Sequence, residues 1–282
     1  GADALTRNDV KRAAMERVIG FEIMPAPFVV AHLQMGILLA ELGVPLRDAD
    51  ERAAIYLTNA LTGWGDGAVA PPKEKRGVEG QLHSTLLFPE FAEERDAADR
   101  IKREEKILVV IGNPPYNGFA GVAQAEEADL LRPFKARLES WGVRKNKIDD
   151  LYVRFFALAL RRIGVMSGRG VVAFVSNDSW LTGPSYVTVR EALLASFDAF
   201  WVEGMHGDRT MSEYGPDGRM SQTVFAVPGF SPGIRQGVAI SLWAKRGNDA
   251  STQAMVRYRA DIDDSDAGAR RTRLLATLED PA

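Results

Sequence analysis

Five apolar residues in a row, Ile107-Leu-Val-Val-Ile111, run into Gly112 and then into Asn113-Pro114-Pro115-Tyr116. A strand with one wet face alternates in polarity. A run without alternation predicts a strand covered on both faces, as in a parallel sheet packed between helices. The rest of the chain is consistent with that architecture. Residues 171–175 read as a second buried strand, and shorter strands are expected at 18–22, 53–60 and 199–203. Residues 9–18 read as the end of a helix. Residues 28–42 carry apolar side chains at helical spacing with Gly43 just beyond, and 88–106, 149–163 and 186–197 also read as helices. Residues 223–227 and 237–244 alternate like two arms of an antiparallel pair. Strands alternating with helices, then a closing hairpin, predict an α/β domain doubly wound around a mostly parallel sheet.

Composition narrows the classes. The chain has 282 residues, 46% hydrophobic and 26% charged, which excludes a disordered or fibrous protein. No apolar run approaches the ~18 residues of a membrane span, so no membrane partner is expected. Cysteine is absent, and His32, His83 and His206 are scattered, so disulfide, thiolate and metal-centre chemistry are not expected. Nothing at the N-terminus reads as a signal peptide, and a cytoplasmic protein is expected. The chain opens on Gly1 rather than Met, as an excised segment or one carrying a tag scar would. Between residues 132 and 169 ten Lys or Arg face three acids, a balance of +7; with a net charge of −3, the remainder carries −10. Such a segment is either a phosphate-facing surface or a solvated helix face, and charge alone does not choose.

Chemistry points to one place. Gly63-Trp64-Gly65-Asp66-Gly67 lacks the full dinucleotide spacing and reads as a mobile loop. The Asn113-Pro114-Pro115-Tyr116 turn stands at the carboxyl end of a buried strand, where open α/β sheets bind ligands. Proline fixes φ and brings no N–H to compete for nearby acceptors. The Asn113 side-chain oxygen and the Pro114 carbonyl are two acceptors beside the flat face of Tyr116. Together they suit a planar –NH2 group whose nitrogen must become pyramidal to attack an electrophilic methyl. The plainer alternative is a proline turn capped by Asn.

The tetrapeptide resembles the catalytic signature of the amino methyltransferases that use S-adenosylmethionine, chiefly the N6-adenine DNA methyltransferases. Residues 20–28 resemble that family's second segment, in which an acid after a strand holds the cofactor ribose, here Glu22. Residues 56–61 resemble the third, whose polar residue reads the cofactor adenine, here Asn59. Residues 150–157, 170–181, 221–225 and 237–245 resemble later segments, with Phe225 placed to stack on an extruded base beside Tyr116. The wording is nearest to the methyltransferase region of type ISP restriction–modification enzymes. The resemblance implies a methyltransferase-type sheet, S-adenosylmethionine as cofactor, double-stranded DNA as partner, and the remaining domains of a larger restriction–modification polypeptide.

The resemblance also departs from its pattern. The family's glycine-rich first segment has no counterpart before Glu22, so the first strand of the sheet is expected to be missing. Residues 1–246 are expected to be a partial catalytic domain, and 247–282 a linker or the truncated start of a target-recognition domain. The alternatives are an N-methyltransferase acting on RNA or a protein glutamine amide, and a non-catalytic DNA-binding fragment. Residue by residue, Glu22 has a rival reading as a surface acid, Asn59 as a turn residue and Phe225 as core. Asp150 reads as a helix N-cap, and Phe155 and Phe156 as core.

Overall fold

The computed structural model describes residues 7–48, 51–64, 89–116, 125–144, 146–227, 229–247 and 253–279. His83 and residues 65–80 of the glycine-rich loop lie outside them. The chain divides into two compact units, Gly1–Glu105 and Lys106–Ala282.

The first unit contains helix α1 (Arg7–Glu16), strand β1 (Gly20–Glu22), helix α2 (Pro25–Glu41), strand β2 (Ile55–Leu57) and helix α3 (Pro89–Glu104). β1 and β2 pair in parallel, with Glu22 opposite Leu57. Local chemistry sets both ends of α2. Pro25 opens it, where a missing N–H costs nothing. Gly43, at φ 76°, closes it in the left-handed region. The Val44 N–H then bonds the Leu39 carbonyl at 2.8 Å and the Gly43 N–H bonds Ala40 at 3.0 Å. This is the Schellman closure, and Val44 and Leu39 share a small core with Ala14, the apolar contact that accompanies it.

The second unit begins with strand β3 (Val109–Gly112) and helix α4 (Ala125–Lys135). Helix α5 (Leu151–Ala159) follows and continues as a π-helix over Leu160–Ser167. Then come β4 (Gly170–Asn177), the short α6 (Ser179–Thr182), α7 (Val187–Ser196), β5 (Ala199–Gly204), β6 (Val238–Lys245), β7 (Met255–Arg259) and α8 (Ala267–Ala276). The sheet runs β3-β4-β6-β5-β7. β3 is parallel to β4 and β5 to β7, while β6 is antiparallel to both of its neighbours. The expected α/β class is present, as a mixed sheet.

An aromatic layer forms the core. Phe156 of α5 stacks on Phe174 of β4 at 5.7 Å and 7°, and meets Trp243 of β6 edge-on at 4.9 Å. Trp180 closes on Phe156 at 5.3 Å.

Several expectations are corrected. The antiparallel partners of β6 are β4 and β5, not residues 223–227. That segment is turns, with one isolated bridge from Val227 to Ser231. β3 is covered less than its sequence predicts: Val109 is 54% and Ile111 79% exposed, and being two residues apart they share one face of the strand, which is open among the described residues, while Val110 on the other face is half-buried. Asp150 takes the N-cap position of α5, but its carboxylate accepts from the Tyr186 hydroxyl at 2.7 Å and caps no helix N–H. Part of the basic segment is paired with acids within the fold. Arg154 is buried against Glu127 at 2.5 Å, Lys135 pairs with Asp149 at 2.7 Å, and Arg137 pairs with Glu191. Beyond Lys245 the chain adds β7 and α8. Among the described residues no helix is long and apolar enough to cross a membrane, and no side-chain cluster suits a metal ion.

Candidate active site

β3 delivers its last residue, Gly112, opposite Phe174. A Cβ at position 112 would stand 2.9 Å from the Phe174 ring, so glycine lets the strand end close on the aromatic layer. The next four residues form the candidate site. Asn113 is exposed, and its carboxamide makes no hydrogen bond among the described residues. Pro114 is buried and anchors the turn, Pro115 is exposed, and Tyr116 is half-buried. Tyr116 packs on a cluster of Met205, Val238 and Ile262. Burial pushes its hydroxyl pKa up. Its ring meets Phe225 edge-on, with centroids 5.7 Å apart at 73°.

Phe225 reaches that position on a turn held from several sides. Gly207 at φ 88° and Gly233 at φ 70° approach its backbone closely. A Cβ on the first would stand 2.6 Å from the Thr223 Cα, and one on the second 3.0 Å from the Ala226 nitrogen. Only glycine combines that backbone conformation with that closeness. Tyr116 and Phe225, far apart in sequence, are thus brought together.

Glu22 and Asn59 belong to the first unit, at the carboxyl ends of the paired strands β1 and β2. Glu22 Oε1 accepts from the backbone N–H groups of Ile23 and Met24 at 2.9 and 3.0 Å. Its second oxygen has no partner among the described residues. This suits an acid fixed in place yet able to accept from a ribose hydroxyl. Asn59 Oδ1 accepts from the Leu61 N–H at 2.9 Å, an Asx turn, which is the turn role expected as its rival reading. Its amide nitrogen makes no hydrogen bond among the described residues and remains a donor. Sequence reasoning missed Lys102. Its ammonium, buried on α3, donates to Thr58 Oγ1 at 2.7 Å and to the Asn59 carbonyl at 2.9 Å, fixing the turn. A lysine inside a charged helix gives no sign of burial in sequence.

Residues 73–199 match the sequence model of a family described as Eco57I restriction-modification methylase. By that stretch the chain resembles the restriction–modification methylases. The fold is shared with part of the ATP-dependent type ISP restriction–modification enzyme LlaBIII bound to DNA. That match has a TM-score of 0.71 and 18% identity over 96% of this chain and 16% of that one. A nuclease-deletion mutant of the type ISP enzyme LlaGI with a DNA substrate mimic gives 0.73 and 20%, over 98% of this chain and 21% of that one. The DrdV–DNA complex gives 0.71 and 22%, over 98% and 24%. At these identities the likeness shows the fold. This chain spans less than a quarter of the length of each. No protein of curated function matches the sequence.

Proposed function

We propose that this chain belongs to the methyltransferase part of a larger restriction–modification enzyme of the cytoplasm. Its reaction would be methylation of adenine N6 in double-stranded DNA, with S-adenosylmethionine as donor. The observation that carries the reading is the Asn113-Pro114-Pro115-Tyr116 turn at the carboxyl end of a parallel strand, its aromatic ring paired with Phe225. The match of residues 73–199 to a methylase family supports it independently.

The cofactor supplies an activated methyl group; its ribose would be held by Glu22 and its adenine by the Asn59 turn. The other tasks fall to the chain's own residues. A base in a duplex is inaccessible and must be extruded, and an aromatic ring replaces the lost stacking. Tyr116 and Phe225 are the aromatic groups for that role. Asn113 Oδ1 and the Pro114 carbonyl accept the two N–H bonds of the exocyclic amine and favour its pyramidal form. Such preorganised acceptors act without a strong base, because the amine proton becomes acidic only when the nitrogen carries positive charge. The Tyr116 hydroxyl, raised by burial, stays neutral and is no base.

The test is methyl transfer from tritiated cofactor to duplex DNA by the full-length protein, with the product base identified by chromatography. Asn113→Ala is expected to lower the rate by about 10²–10³, the usual cost of one preorganised polar contact, with DNA affinity retained. Near-normal transfer by the variant, or a product other than N6-methyladenine, would overturn the assignment.

A further inference from the structure

The turn that presents Phe225 is closed by the Ala226 N–H bond to the Thr223 carbonyl at 2.9 Å, and helix α8 holds it from outside. The Arg271 Nη1 donates to the carbonyls of Val224 at 2.7 Å and Ala226 at 2.9 Å, the two residues flanking Phe225. One residue earlier, Arg270 is wholly buried. It donates to Ser221 Oγ at 2.8 Å and to the carbonyls of Gln222 and Asp264. Gln222 completes the joint: its N–H bonds the Ser265 carbonyl at 2.9 Å, and its side-chain oxygen accepts from the Ala267 N–H at 3.2 Å. The helix is itself well set, since Asp266 caps it by accepting from the Ala269 N–H at 2.8 Å. Leu274, on the face that carries Arg270 and Arg271, packs into the cluster of Met205, Val238 and Ile262 that also supports Tyr116.

We propose that α8 is a working part of the site: Arg270 and Arg271 are positioning residues that hold the 221–226 turn so that Phe225 faces Tyr116. The inference rests on the reading of that pair as the holder of the extruded base. Two features give it weight. Buried carbonyls outside a ladder must find donors, and a guanidinium supplies several from one rigid plane. The arginines also address the backbone of the turn rather than any acid, so their geometry is set by the path of the chain around Phe225. A helix held only for bulk packing requires no such bonds.

The experiment uses the full-length protein with 3-fluorotyrosine placed at position 116 alone, and three variants: Arg271→Ala, Arg271→Lys and Phe225→Leu. Arg271 is chosen because it is only half-buried, whereas loss of the fully buried Arg270 endangers folding. In Arg271→Ala the fluorine resonance is expected to move as it does in Phe225→Leu, because the neighbouring ring has shifted in both. The kcat is expected to fall by about tenfold to a hundredfold, the scale of a misplacement near 1 Å. KM for the cofactor and the affinity for DNA should remain unchanged. Lysine keeps the charge but not the planar bridge between two carbonyls, so Arg271→Lys should lie between the two. A resonance unmoved by Arg271→Ala would overturn the proposal whatever the rate. A resonance that moves in a protein without methyltransferase activity would overturn the proposed function and leave the positioning role standing.

Discussion

The Tyr116 hydroxyl is buried and makes no hydrogen bond among the described residues. An unsatisfied buried hydroxyl is a cost, and its removal is free of one. Tyr116→Phe is therefore expected to keep or raise stability, by up to about 2 kcal/mol, and to retain most methyl transfer. Tyr116→Ala should lose the extruded base, since base–aromatic stacking is worth ~1–3 kcal/mol. A 2-aminopurine at the target position reports extrusion by its fluorescence. A Phe variant as inactive as the Ala variant would make the hydroxyl essential and end the stacking argument. At this scale the sequence was readable where chemistry is local. Two prolines after a strand-ending Asn-bearing turn are visible without a structure, and so is an acid after a strand such as Glu22. Lys102, Arg270 and Arg271 were not readable. Lys102 and Arg270 are buried, and Arg271 half-buried, by contacts made across dozens of residues, and composition marks all three as surface residues.

At the carboxyl end of β5, His206 adopts φ 54°, a costly conformation for a residue with a Cβ, so its surroundings must hold it there. Both ring nitrogens have acceptors. Nδ1 meets Glu213 Oε1 at 2.5 Å, and Nε2 meets the Ala260 carbonyl, just past β7, at 2.7 Å. An imidazole facing two acceptors is fully satisfied only as the cation. The Glu213 bond accordingly raises the His206 pKa above 6.5. Burial pushes Glu213 up, but the His206 and Asp208 bonds outweigh it and leave its carboxyl below 4.5. The signs follow. The His206 contribution is fully present below pH 6.5 and is lost as pH rises through its raised value. The Glu213 contribution is present above pH 4.5 and is lost as pH falls through its depressed value. His206→Asn, which tolerates the backbone angle, should therefore lower Tm near neutrality and flatten its decline as pH rises above about 6.5. Equal slopes in calorimetry of the two proteins would show that this pair is not what titrates. This joint also explains what the sequence concealed about elements. Residues 223–227 alternate as a strand would, yet their carbonyls are taken by α8 arginines and by turns, so no ladder forms. Period-two polarity reports alternate burial, not its cause. The polar composition beyond Lys245 likewise concealed β7 and α8, whose burial lies in a few positions such as Ala267 and Arg270.

Across the second unit, the aromatic layer joins the core to the candidate site. Up to Lys245 the order of strands and helices was legible, α4 and the 223–227 turn apart, because apolar periodicity and Gly and Pro stops are local signals. The strand order β3-β4-β6-β5-β7 was not, because it depends on which edges meet in space. The layer runs from α5 through Phe156 to Phe174, and Phe174 lies against the missing Cβ of Gly112, one residue before Asn113. A change at Gly112 should therefore act on the Asn-Pro-Pro turn through the Phe174 ring. The 2.9 Å approach is too close for a methyl group, so Gly112→Ala must displace either the ring or the strand end. Overpacking of this kind costs about 1–3 kcal/mol. Gly112→Ala is expected to lower stability by that amount in urea titration and to reduce methyl transfer with it, because Asn113 moves with the strand end. Phe174→Leu alone should also destabilise, by opening the aromatic layer. Combined, the two should cost less than their sum, since the smaller side chain vacates the space that the new methyl needs. That coupling is the decisive quantity, as residues in contact depart from additivity and distant ones do not. Strict additivity in the double-mutant cycle would mean that the ring does not govern the strand end, and that the Asn-Pro-Pro turn is held by its prolines alone.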